Sequence, residues 1–268
     1  MSGDSLDIGN DETTVSENPG DVPTCAAILS ALDGVTDPEL DRSIVELEYI
    51  DDIEIDAEED GAHVDVSFTL PTAWCSPAFA WMMALDGREA VEGLSGVARC
   101  SMRLREHMHA REVTVGVNNG HSFDATFPDA DGGIAEVRST LDAKARLARQ
   151  YDAVETLLAA GVTHEQIALL TRDDCRFFDE YVAVGVRDGA VEVVVDVEPL
   201  RRYLDKAIQT GRVAEDDRLF RTPEGDDIDP DEAELVHRRA RLAHVNMSGQ
   251  GGVCDALHES RRAELARQ

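Results

Sequence analysis

An α+β fold is what this sequence predicts, and three patterns carry the prediction. Residues His63 to Leu70 alternate polar and apolar, with Val64, Val66, Phe68 and Leu70 on one face, the period-two signature of a half-buried strand. Ala78 to Gly93 is instead dense in Phe79, Trp81, Met82, Met83, Leu85 and Val91, the wide apolar face of a helix. Far downstream, Val182, Val184 and Val186, then Asp188-Gly189, then Val191, Val193, Val195 and Val197 spell a hairpin over residues 181–197, because Asp-Gly supplies the positive φ angles of a type I′ turn.

Taken in order, residues 1–22 form an acidic stretch without the basic and apolar character of a secretory signal, and read as a disordered tail. Thr24 caps a helix from Cys25 to Leu32 that Gly34 stops, with Cys25 expected to pack as a small hydrophobe. A turn over Val35 to Leu40 and a connector over Ser43 to Leu47 lead into a strand from Tyr49 to Asp56, and Gly61 turns the chain into the strand that ends at Thr69. Ser76 suits the N-cap and Pro77 the first position of the next helix. Gly96 admits a final strand, Val97 to Leu104, with Ala98, Cys100, Met102 and Leu104 on one side. This helix-strand-strand-helix-strand module is expected over residues 23–108.

A mostly helical accessory region with the one hairpin is expected over residues 109–268. Val137, Leu141, Ala148, Tyr151, Val154 and Leu158 give a long helix between Gly133 and Gly161, and Thr163-x-x-Gln166 is a capping box for a short one. Pro199 opens a helix closed by Gly211, Glu215 to Asp229 reads as acidic loop, and Asp229-Pro230 caps an arginine-rich helix. The glycine-rich run Ser248 to Val253 reads as a flexible turn that delivers Cys254 to a terminal helix.

Across 268 residues the hydrophobic content of 43% is enough for real cores. The 25 basic against 55 acidic side chains give a net charge of −30, which argues against attraction to nucleic acid or anionic lipid and suits a hydrated surface in a salt-rich, halophilic cytosol. No apolar run is long enough for a membrane-spanning helix. The five cysteines are odd in number, widely separated and without a Cys-x-x-Cys, so the pattern is neither a disulfide framework nor a ferredoxin or zinc ribbon, and points to a reducing cytoplasm.

The chemistry centres on Thr69-Leu-Pro-Thr-Ala-Trp-Cys-Ser-Pro77, which places Cys75 at a helix N-terminus. Unpaired amides and the helix dipole favour an anion there, and a thiolate is the soft donor that iron prefers. Other candidates read as structure. His107-x-His109 lacks a third ligand and reads as a surface pair, Cys100 as core, and Cys175 as a thiol held protonated by Asp173-Asp174. Gly249-x-Gly251-Gly252 lacks the Lys-Ser/Thr of a phosphate loop, and a DNA-reading helix pair across Gly161 conflicts with its acidic surroundings.

Asp37-Pro38-Glu39, Ser43-Ile44-Val45, the paired strands and the cysteine loop before a helix and a Gly-Val strand together resemble the iron–sulfur cluster assembly domain of SufT-like and PaaD-like proteins, over about residues 24–105. Residues 111–127 are similar to an extended, haloarchaeal-type form of that family found beside diiron monooxygenase components. The resemblance implies a non-enzymatic factor that matures metalloproteins, with Cys75 as a transient ligand of an iron–sulfur cluster. Asp37 and Glu39 either orient the cysteine loop by hydrogen bonds or serve as a turn cap and a solvated acid, and Thr69 and Thr72 either hydrogen-bond a thiolate or sulfide or reflect the propensity of a strand end. Two departures stand out: Trp74 replaces the usual small residue, and Arg105 to His109 lacks a Pro-Pro-Trp ending. One thiolate cannot hold a cluster, so Cys254 is the expected second ligand. The cluster is then held transiently, in a homodimer, or shared with an apo-metalloprotein client or another assembly protein. The alternatives are a thiol enzyme with Cys75 as nucleophile, which needs a base, and an interaction module for an oxygenase partner.

Overall fold

The computed structural model describes residues 22–130, 133–186, 189–214 and 218–265, with several side chains from 250 onward outside that description. The expected tail lies almost wholly outside the described residues. Helix α1, Cys25–Asp33, starts where Thr24 Oγ1 accepts from the Ala27 N–H at 3.2 Å. Its buried stripe begins at Ile28 and continues to Leu32, which leaves Cys25 exposed and not packed as expected. Strands β1, Thr36–Asp37, and β2, Arg42–Ser43, form a small antiparallel pair whose turn is closed by the Asp41 N–H donating to Asp37 O at 2.8 Å.

The main sheet has the order β3-β4-β5. Strand β3, Ile50–Glu58, runs antiparallel to β4, Gly61–Thr69, and β5, Val97–Arg105, runs parallel to β4. A parallel neighbour needs a crossover, and α2, Pro77–Glu92, supplies it. Val64, Val66 and Phe68 of β4 join Cys100, Met102 and Leu104 of β5 under Trp81 and Met83 of α2 to make the first core. Ala98, expected on that face, is exposed, because the ladder slips between Ala62 and His63 and passes from Val97 to Arg99.

This core runs past residue 108. Helix α3, Ala110–Asn118, and the short α4, Phe123–Thr126, add Val113, Val117 and Phe123 to it. Gly116 allows the approach: a Cβ there would meet ring atoms of Trp81 at 2.6 Å, while Trp81 itself packs edge-on to Phe123 with centroids 5.7 Å apart.

Helix α5, Ile134–Ala159, has 26 residues and serves two cores. Ile134 and Val137 pack on the first, whereas Ala153, Val154 and Leu157 belong to a second. The second core also draws on α6, His164–Leu169, which carries the complete Thr163–Gln166 capping box, and on a three-stranded antiparallel sheet. That sheet comprises β6, Cys175–Phe177, β7, Tyr181–Val186, and β8, Val191–Asp196, so the hairpin gains a third strand that three residues were too short to announce. Gly189 takes φ of 78° in the hairpin turn; Asp188 lies outside the described residues.

Helix α7, Val197–Gln209, begins two residues before Pro199, since Asp196 caps it by accepting from the Glu198 N–H at 3.0 Å. The expected acidic loop follows, with residues 215–217 outside the description. Helix α8, Ala233–Leu265, then runs for 33 residues. The flexible turn expected over Ser248 to Val253 is therefore replaced by helix. Glycine costs a helix about 1 kcal/mol relative to alanine, yet Met247, just before the run, is buried against Ala145 and Ala148 of α5 and anchors the helix there.

The two cores are also tied by charge. Arg149 of α5 donates from Nε and Nη2 to Asp41 Oδ2 and Oδ1 at 2.5 and 2.8 Å, and from Nη1 to the Arg202 carbonyl of α7 at 2.8 Å. Asp41 is 7% exposed and holds φ of 54°. Among the described residues no helix is long and apolar enough to cross a membrane.

Candidate functional site

Strand β4 ends at Thr69, and the loop to Pro77 carries the cysteine on the edge of the first core. Ser76 caps α2 by accepting from the Ala78 N–H at 3.3 Å, with Pro77 in the first turn. Cys75 immediately precedes that cap and is half-buried. The Thr72 hydroxyl lies 3.4 Å from Cys75 Sγ and also accepts from the Trp74 N–H at 3.2 Å, so it folds the loop and contacts the sulfur at once.

The segment after β5 clamps this loop. Met108 N–H donates to Ala73 O at 3.0 Å, and His107 Nε2 lies 2.9 Å from Cys75 O. A carbonyl only accepts, so Nε2 carries the proton, and His107 Nδ1 in turn accepts from the His109 N–H at 3.1 Å. His107 is 8% exposed, not the surface histidine expected. Burial first, and the neighbouring His109 besides, lowers its pKa, opposed by the bond to Cys75 O. Sequence spacing hid this role because a clamp formed across the fold leaves no local signature; the single hint was two histidines directly after a buried strand.

Trp74 is 77% exposed and Met108 is 56% exposed on the two hydrogen-bonded segments. Burial pushes the thiol of buried Cys100 up to about 12, and burial with the Asp174 charge does the same for half-buried Cys175.

The expected supporting residues divide. Thr72 is at the sulfur. Thr69 is one step back, its Oγ1–H donating to Asp51 Oδ2 at 2.6 Å and its N–H to Tyr49 O at 2.9 Å, which fixes the end of β4. Asp37 is a turn residue: Oδ1 accepts from the Glu39 and Leu40 N–H groups at 2.8 and 3.1 Å, and Tyr49 OH donates to Oδ2 at 3.4 Å. None of these bonds reaches the cysteine loop. Burial raises the Asp37 pKa against those hydrogen bonds, and burial together with Asp37 raises that of half-buried Glu39. Cys254 is on α8 and its side chain lies outside the described residues; Gly252, two positions earlier, lines a cleft with Leu40, Asp41 and Arg42 at the β1–β2 turn. Among the described residues no three His, Cys, Asp or Glu side chains converge as a metal site. Of the four thiolates that a cluster commonly takes, the described residues of this loop bring one, Cys75.

Residues 25–102, from α1 into β5 and including Cys75, match the family model described as iron-sulfur cluster assembly protein. The uncharacterized protein MJ1129 of Methanocaldococcus jannaschii is 30% identical over 86 residues, which make up 32% of this chain and 85% of that protein. The chain belongs to the iron–sulfur cluster assembly protein family. No solved structure matches it. The family segment ends before His107, so the residues that clamp the cysteine loop come from chain just beyond it. Membership assigns the protein a role in iron–sulfur cluster assembly in general and a relation to iron–sulfur proteins or their assembly partners.

Proposed function

We propose that the protein is a non-enzymatic maturation factor of the SufT-like and PaaD-like kind, working in a reducing cytoplasm, in which Cys75 transiently ligates an iron–sulfur cluster or its iron on the way to an apo-metalloprotein. The observation that carries this reading is the loop itself: a half-buried thiol, held by Thr72 on one side and by a backbone fixed through His107 and Met108 on the other, inside the family segment. A rigid lone thiolate binds weakly and releases readily, which suits transfer more than storage. Trp74 and Met108 give a client an apolar surface beside the sulfur. The client, or a second copy of the chain, then completes the ligand set, with Cys254 as the thiol within the chain to test. The nucleophile reading is disfavoured because His107, the histidine at the loop, spends one ring nitrogen on Cys75 O and the other on the His109 N–H, leaving neither for the Cys75 proton.

The test is anaerobic incubation with iron and sulfide, read by absorption and by transfer to an apo-ferredoxin. Wild type and Cys254→Ala should pass cluster or iron on, faster than the uncatalysed control, whereas Cys75→Ala should not. Equal transfer by wild type and Cys75→Ala ends the proposal, and loss in Cys254→Ala as well makes the site a two-thiolate one.

A further inference from the structure

A cleft of about 290 Å³ lies between α5 and the chain that follows α7, lined by Arg138, Ser139, Asp142 and Arg146 from the helix and by Thr210 and Arg212 opposite. Three guanidiniums in one recess run against a net charge of −30. One of them is neutralised: Arg138 makes two bonds of 2.8 Å to the Asp86 carboxylate. The lining acid is neutralised too, since Lys206 Nζ donates to Asp142 Oδ1 at 2.7 Å.

Arg146 and Arg212 are not. Arg146 is 1% exposed, and its hydrogen bonds go to neutral acceptors, Gln150 Oε1 at 3.1 Å, Thr222 O at 2.9 Å, Pro223 O at 3.2 Å and the Tyr203 hydroxyl. Arg212 Nη1 donates to the next carbonyl, Glu224 O, at 3.2 Å, and the side chain lies over Gly225, where a Cβ would come within 2.6 Å of Nη1. Three successive carbonyls and a glycine thus seat two like charges next to each other with no carboxylate bonded to either among the described residues. Burial above all, and the Arg212 charge besides, lowers the Arg146 pKa, opposed by the Tyr203 hydroxyl and by the Glu224 charge. Burying an ion without a counter-charge is expensive, so such a pair calls for an anion from outside.

We propose that this cleft binds a phosphate group, free or as the monoester end of a small metabolite. Two uncompensated positive charges match the near-dianion that a phosphate monoester carries at neutral pH. Exposed Arg212, with only Nη1 bonded to a carbonyl, presents its remaining N–H groups as a guanidinium fork that matches a tetrahedral oxyanion as a lysine cannot, while Arg146 contributes its buried charge from behind. The cleft belongs to α5 and the accessory region, not to the cysteine loop, so this binding is separate from cluster transfer.

The full chain is titrated with inorganic phosphate, glycerol 3-phosphate and succinate in a constant potassium chloride background, followed by calorimetry and by phosphorus NMR. Saturable binding of one phosphate or monoester per chain is expected. Arg212→Ala, at an exposed side chain, should weaken it at least tenfold, and Arg212→Lys should weaken it despite keeping a charge. The proposal fails if wild type shows no saturable phosphate binding, or if Arg212→Ala binds as tightly as wild type. Succinate binding as tightly as phosphate also overturns it, by making the ligand a dicarboxylate.

Discussion

Replacing His107 by leucine tests whether the segment after β5 governs the cysteine loop. The substitution fills most of the same space while removing the donor to Cys75 O and the acceptor for the His109 N–H, which lie 2.9 and 3.1 Å from the ring. Each hydrogen bond is worth about 1 kcal/mol net, and more where the remaining partner stays buried and unpaired, so a loss of about 2–3 kcal/mol follows. In a chain of this length that lowers Tm by roughly 4–12 °C. Local readouts should move further: the His109 amide should exchange faster, and Cys75 should react faster with a disulfide reagent as its loop loosens. pH adds a signature. Because the folded pKa of His107 lies below the ordinary histidine value of about 6.5, the unfolded chain takes up the proton first. The stabilisation is therefore complete above that value and is lost as pH falls from there through the folded pKa. Protonated Nδ1 cannot accept from His109, so acid and the leucine variant should loosen the same loop. An unchanged Tm together with an unchanged Cys75 reaction rate would refute the clamp.

Two further outcomes follow from the packing. Arg149→Met should destabilise the protein by about 3 kcal/mol in urea unfolding, because it leaves the buried Asp41 carboxylate to the Arg202 guanidinium 4.0 Å away, and removing that charge in the double variant with Asp41→Asn should recover part of the loss; simple additivity of the two would show that the ion pair is idle. In a Cys254→Ala background near neutral pH, a maleimide should label exposed Cys25 and half-buried Cys75 in the folded protein, half-buried Cys175, pushed up to about 12, only slowly, and buried Cys100 only after unfolding; prompt labelling of Cys100 contradicts the packing.

What sequence made legible was whatever is written locally. The Thr24, Ser76 and Thr163 caps act within three residues, so each helix start could be read directly. The alternation of Val64, Val66 and Phe68 against Cys100, Met102 and Leu104 named the faces of β4 and β5 before their pairing was known. The contact of Thr72 with Cys75 was readable because only three positions of loop separate them. The failures are all contacts between distant parts of the chain. Val113 and Val117 declare a helix face but not which core it joins; the Cys175 strand exists because β7 offers an edge; the glycines of α8 stay helical beside a buried Met247. His107 belongs with these, since its ring acts on a carbonyl 32 positions earlier. Asp37 stayed open between two readings for the opposite reason: a short Asx turn looks the same in sequence whether or not it faces a reactive group, and its bonds here are those of the turn cap.

Helix α5 has a mechanical consequence. Its 26 residues make a strut about 39 Å long by the rise of an α-helix, with one end built into the wall of the sheet module and the other into the wall of the hairpin domain. Neither end can melt without removing the backing of its neighbour. Heating should accordingly give a single calorimetric peak, and damage at the far end should be felt as looser footing under the cysteine loop.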